Sequence, residues 1–342
     1  MNTWNGPPYT CSSLIDMLAV MPLIETLSLG WTEVIMDSSG EAEAVASLSL
    51  PRLRNLQLTA LDPTFISDFL DLLHIPGTAC LEVTFFATQS PNLTEVDAWP
   101  VLRSFASILS PSRRLDLPPP IPTLQFEIAM DSLRLIGYRT QISHKDHLIS
   151  TWREQPSVGE VSTQAFVLEI PFALIGGIGL GEIMEILPLQ DAHILWLRSN
   201  TNGVPTPPLS TLSASMPRIT EIHSVAVGFE CFLSDVDSLI SPSLPWPQLT
   251  SLVFDTLMPY SYDFHECTCY GNNARGCKCL QRFRNILKFR STNGCAKLTR
   301  LSAHDSWFST YDRSYIEELL AECADEIVID ELPPTEEMED TD

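Results

Sequence analysis

The sequence predicts an α/β fold built by repetition, with short strands and helices alternating in units too small to bury their own apolar faces. Three observations predict it. Apolar residues fall at L-x-x-L-x-L spacing, as at Leu53, Leu56 and Leu58. Helical spacing follows, with Phe65, Phe69 and then Leu72 or Leu73 on one face. Equivalent apolar positions then recur every 26 to 30 residues in five separate intervals.

The elements follow in order. An amphipathic "SLIDMLAV" leads to "MPLIETLSLG", whose Leu27 and Leu29 face one side of a strand. "LPRLRNLQLTAL" is the next strand. Asp62-Pro63 caps the helix after it, and Pro76-Gly77 stops that helix. "LEVTFFA", "PTLQFEI" (Leu124, Phe126, Ile128) and "AFVLEI" (Phe166, Leu168, Ile170) read as further strands. "GEIMEIL" is a helix before "HILWLRS" (Leu195, Leu197). Ile219 and Ile222, then Leu249, Leu252 and Phe254, Leu298 and Leu301, and Ile327 and Ile329 continue the series.

The intervals are Leu27 to Leu56, 29 residues; Leu168 to Leu195, 27; Leu195 to Ile222, 27; Ile222 to Leu252, 30; and Leu301 to Ile327, 26. An ordinary α/β domain also alternates strands with helices, but five agreeing intervals favour a leucine-rich-repeat-like solenoid over residues 1–330. Two gaps break the period. One, between Val83 and Phe126, holds the proline-rich "LSPSRRLDLPPPIP". The other, between Leu252 and Leu301, holds a cysteine-rich insertion at residues 259–279. Residues 331–342 read as an acidic disordered tail.

With 342 residues, 44% of them hydrophobic, the chain can bury a large core. Its net charge of −23 disfavours nucleic acid and membrane surfaces as partners and favours a basic one. "IPFALIGGIGLG" is too short and too broken to span a bilayer, and no signal peptide opens the chain. Nine scattered cysteines do not make a secreted disulfide scaffold. The expected setting is intracellular, cytoplasmic or nuclear.

The phrases "MPLIETLSLGW", "LPRLRNLQLTAL", "WPQLTSLVFDTL", "LQRFRNILKFR" and "LTRLSAHDS…YIEELLAECADEIVID" resemble the leucine-rich C-terminal region of basidiomycete-type fungal F-box proteins, over roughly residues 10 to 330. The resemblance implies a platform for protein partners, among them the substrate of a ubiquitin ligase. No F-box is visible, so it does not by itself imply docking to the ligase adaptor. A shortened chain, a diverged paralogue and a free-standing binder all stay open.

In such an array the strands line a concave face, and residues alternating with the core leucines point outward. Gln57, Gln125, Glu127, Trp196, Arg198, Asp255, Arg300 and His304 are the candidates for partner contact on this logic. Trp196 with Arg198 stands out, because Trp and Arg dominate interface hot spots.

Catalytic motifs are absent. The glycine run at 176–182 has Glu182 where a dinucleotide-binding turn needs its third glycine. His144 and His147 lack a third metal ligand. There is no G-x-S-x-G, and "HEC" at residue 265 lacks the downstream P-C-x-x-C of a zinc deaminase. The expected protein is not an enzyme. Cys267, Cys269, Cys277 and Cys279 form C-x-C-x7-C-x-C across a turn-rich link, which can close a tetrahedral zinc site. Structural sites more often use C-x2-C, so redox chemistry and an unliganded loop stand beside zinc, and no cofactor is required.

Overall fold

A computed structural model describes residues 11–30, 47–59, 63–85, 99–128, 132–142, 163–171, 180–199, 209–225, 246–255, 278–304 and 313–330. Among them are seven α-helices and a large, mostly parallel sheet of eleven strands that does not close into a barrel. The chain divides into two compact units. Residues 1–124 and 131–191 form unit 1; residues 125–130 and 192–342 form unit 2.

A short phrase builds each strand entrance. Met21-Pro22, Leu50-Pro51, Met216-Pro217 and Trp246-Pro247 each open a β-turn. The turn closes when the N–H of Ile24, Leu53, Ile219 or Leu249 donates back to the first residue's carbonyl, over 3.0 to 3.5 Å. Proline suits the second turn position because its φ is fixed near −65°. Leu53, Ile219 and Leu249 are buried, which pins each turn to the core. The chain then leaves as a strand.

Unit 1 holds α1 (Cys11–Ala19), β1 (Thr26–Gly30), β2 (Leu48–Ser49), β3 (Asn55–Thr59), α2 (Pro63–Leu72), β4 (Leu73–His74), β5 (Cys80–Thr84), α3 (Trp99–Leu109), β7 (Ser132–Tyr138), β8 (Gln164–Pro171) and α4 (Leu180–Ile186). β1, β3, β5 and β8 pair in parallel, and Leu27, Leu56, Leu81 and Phe166 form one in-register row. β7 then pairs antiparallel with β8. The helices cover the leucine-row face: Phe105 of α3 meets Phe166 edge-on, with ring centroids 5.6 Å apart. Residues of α3 buried at 101, 105 and 108 give the helix its apolar stripe. Between α2 and α3, Ser67 and Ser104 share a buried hydrogen bond of 3.0 Å.

Unit 2 holds β9 (Ile194–Ser199), α5 (Leu209–Ser215), β10 (Glu221–Val225), β11 (Ser251–Asp255), α6 (Lys278–Thr292), β12 (Leu298–His304), α7 (Arg313–Leu320) and β13 (Ala324–Asp330). β6 (Thr123–Ile128) starts in unit 1, and its residues 125–128 belong to unit 2. β9 to β13 are neighbours in chain order and all parallel, with Leu195, Ile222, Leu252, Leu301 and Ile327 in one row. Fully burying one such side chain contributes about 1.5–3 kcal/mol. α6 ends at Thr292, and just beyond it Gly294, with a φ of 82°, turns the chain while the Cys295 N–H donates to the Arg290 carbonyl.

The register matches most of the intervals read from the sequence. It also joins Leu252 directly to Leu301, so the cysteine-bearing stretch falls within a single step between neighbouring strands. Leu168 to Leu195 is a correction. β8 lies between β5 and β7, and Leu168 pairs with Val83 and Leu135, so that interval is not a step between neighbours. The neighbour of β5 is β8 rather than the Phe126 strand, because the chain returns antiparallel through β7 first.

Candidate functional site

In both units, strand residues that alternate with the leucine rows occupy the sheet face opposite the helices. Their accessibility changes from strand to strand. On unit 1, Thr26 and Ser28 of β1 are exposed, and Asn55 and Gln57 of β3 are half-buried. The Ser28 hydroxyl donates to the Gln57 side-chain oxygen over 2.9 Å. Further along the same rows the surface becomes apolar and closed. Val167, Ile136 and Tyr138 are buried together, with Ile142 packed against them.

On unit 2 the corresponding side is closed from its first strands. Gln125 and Glu127 of β6 are 3% and 8% exposed, and Trp196 of β9 is 1% exposed. These three expectations of outward exposure are corrected. Alternation fixes which side of the sheet a residue takes, but here that side is covered, as for parallel strands buried on both faces. Trp196 lies flat on the His223 ring, centroids 3.9 Å apart and planes 14° apart. The His223 Nε2–H donates to the Glu221 carboxylate, which fixes the proton on that nitrogen. Arg198 is half-buried and pairs with Glu127 across 3.7 Å. The Gln125 amide reaches the same carboxylate at 3.5 Å.

Val253 and Ser302, which follow His223 in its own row, are 6% and 0% exposed, so the face opens only in the neighbouring row at the strand entrances. Register aligns Glu221, Ser251, Arg300 and Glu326 in one polar row. Glu221 and Ser251 are half-buried, and Arg300 and Glu326 are exposed. The Arg300 Nε–H donates to the Ser302 hydroxyl over 2.8 Å, and its guanidinium stands 4.0 Å from Glu326. Asp255 and His304 share another register row with Val225 and Asp330; their side chains are outside the described residues.

Among the described residues of this face, Ser302 and His223 do not form a nucleophile–base pair. Ser302 and His223 lie in one row, but Val253 stands between them. Two strand spacings, about 10 Å, separate them, well beyond hydrogen-bond reach. Among the described residues no group of three or more His, Cys, Asp or Glu side chains can hold a metal ion. Cys267, Cys269 and Cys277, with His144 and His147, lie outside the described residues; Cys279 falls in α6 with its side chain outside them. No helix among the described residues is long and apolar enough to cross a membrane.

Sequence reasoning missed two features. Thr220, Thr250 and Thr299 each donate a side-chain hydroxyl to the carbonyl of the residue one step earlier: His193, Thr220 and Thr250, over 3.1 to 3.3 Å. The recurring "IT" and "LT" at each strand entrance is its visible signal. The second is a buried cluster in unit 1. Arg114 donates to the carbonyls of Pro76 at 2.7 Å and Ala79 at 3.3 Å, and Arg139 donates to Ala79 at 2.8 Å and to Gln164. Burial pushes the Cys80 thiol up to about 11, against the pull of Arg139, so it stays protonated and unreactive. Burial, and then the charge of Arg139, pushes Arg114 down to about 10.

No protein-family model, curated protein or solved structure matches the chain.

Proposed function

We propose that the chain is a non-catalytic protein-interaction scaffold, a leucine-rich-repeat-like solenoid that recognises a partner protein inside the cell through its strand face. It would act as the substrate-recognition region of an F-box ubiquitin-ligase subunit acts. The observation that carries the reading is the polar row Glu221–Ser251–Arg300–Glu326. Backbone pairing holds its Cα positions at about 4.8 Å intervals, so the backbone loses little conformational freedom when a partner engages the row. The net charge of −23 favours a basic partner and fast, salt-sensitive association.

Affinity purification of the tagged chain from its own cell extract, followed by mass spectrometry, tests both halves of the reading. Recovery of a ligase adaptor and cullin scaffold together with further proteins is the expected result. Reproducible partners without adaptor or cullin would sink the ligase role and leave a free-standing scaffold. An empty purification at physiological salt would sink the scaffold as well.

A further inference from the structure

The stretch joining α3 to β6 carries a second surface. Residues 117–122 read Leu-Pro-Pro-Pro-Ile-Pro. Each proline fixes its own φ near −65°, and each residue before a proline is held in the extended or polyproline region. Leu117, Pro118, Pro119 and Ile121 all precede prolines, so covalent chemistry favours a polyproline II course. That helix has three residues per turn, and residues three apart share an edge.

Burial follows that period. Ile121 is 8% exposed, and Pro118 packs so closely on Gly77 that a Cβ there would lie 2.7 Å from the Pro118 Cα. These two form the inward edge. Leu117, at 81% exposure, and Pro120 form the outward edge. Pro119 and Pro122, both half-buried, form the third.

A lone exposed leucine needs no explanation. A ridge that alternates with period three and is tied at both ends does. Before it, Arg113 pairs with Asp71 across 3.3 Å, and buried Arg114 grips the Pro76 and Ala79 carbonyls. The Leu115 N–H donates to Ile75 over 3.0 Å, and the Gly77 N–H donates to the Asp116 carboxylate. After it, the Thr123 hydroxyl at the start of β6 donates to Thr140 over 3.0 Å. The fold itself has therefore already ordered the ridge, which lowers the cost of binding it.

We infer that residues 117–122 are a docking ridge for a protein domain bearing an aromatic-lined polyproline groove. Such grooves read two edges of the helix, and two edges are accessible here. Exposed Asp116 beside Leu117, on a chain of net charge −23, selects a groove with a neutral or basic rim. The ridge uses residues other than those of the strand face and stands independently of the scaffold reading.

The test immobilises the full chain and titrates purified SH3, WW and EVH1 domains against the wild type and a Leu117→Ala/Pro120→Ala double variant. Both side chains point outward, so the variant's thermal midpoint should match the wild type's. The expected result is saturable binding by at least one groove class, weakened at least about tenfold in the variant. No binding by any of the three classes would overturn the inference. Equal binding to both forms would do so too, because it would place the contact on another proline-rich stretch.

Discussion

The two units solve one problem, satisfying the polar backbone where each strand enters the sheet, with different chemistry. Unit 2 repeats a neutral device. At each step two successive N–H groups, Thr220 and Glu221, Thr250 and Ser251, Thr299 and Arg300, converge on one carbonyl of the previous step, and the threonine hydroxyl adds a third bond. Unit 1 begins in the same way, with Arg54 and Asn55 donating to Glu25, but then two guanidiniums, buried Arg114 and half-buried Arg139, hold the carbonyls around residues 76–79. A repeated neutral device extends a ladder by simple addition. A charged clamp secures one irregular crossing and makes that place sensitive to pH.

The largest expected effect lies in unit 2. Trp246 is 1% exposed, and its indole N–H donates to the Met216 carbonyl, the equivalent position one step earlier, over 3.0 Å. Its own carbonyl accepts from Arg290 over 2.8 Å. Its φ of 47° is a left-handed conformation that costs about 1–2 kcal/mol, and these contacts hold it there. Trp246→Ala should cost about 3–5 kcal/mol, read as lost hydrogen-exchange protection in β10 and β11. Unchanged protection would show that the turn, rather than the indole, fixes the step.

Next comes the pH dependence of unit 1. The Cys80 thiol is raised in the folded chain from an ordinary 9 to about 11. The folded state therefore holds the proton more tightly. This stabilising contribution is fully present below pH 9 and is lost as pH rises through about 11. The loss is about 3 kcal/mol. Arg114 acts with the opposite sign. Its lowered pKa makes the folded state lose its proton first, so stability recovers from about pH 10 upward. Denaturation midpoints of wild type and Cys80→Ala, compared from pH 8 to 11, isolate the thiol. The variant should lose less stability over that range, and parallel curves would contradict the burial argument.

A smaller effect tests the threonine ladder. Thr250→Val keeps the shape and removes one hydroxyl donor, and should cost about 0.5–1.5 kcal/mol in urea denaturation. At the small end, Arg300→Ala should change stability by less than about 0.5 kcal/mol, because the guanidinium is half exposed and its pairing is screened. A larger loss would make Arg300 a structural residue and weaken its candidacy for partner contact.

The sequence revealed the leucine rows because buried side chains on a parallel ladder must recur with the strand. Leu195, Ile222, Leu252, Leu301 and Ile327 are both the positions read from spacing and the positions brought into register. β7 was not legible. It runs antiparallel and outside the period, and both its faces are buried, so no alternation marks it. Gly137 is its one cue, since any side chain there would overlap the Phe166 ring. α3 was hidden in the first gap for a related reason: its stripe follows Trp99-Pro100 with no repeat phrase before it. For the candidate face, alternation placed Gln57, Trp196 and Arg300 on the correct side. It could not tell the closed part around Trp196 from the open part around Arg300, because closure depends on what packs over the strand.

The most direct test of the scaffold reading compares proteins recovered with the wild-type chain and with a variant carrying Gln57→Lys, Arg300→Glu and Glu326→Lys. All three positions are exposed or half-buried, so both chains should share one thermal midpoint. Loss of the wild-type partners from the variant is the result this account predicts. Recovery of the same partners at the same abundance would contradict it and move recognition away from the strand face.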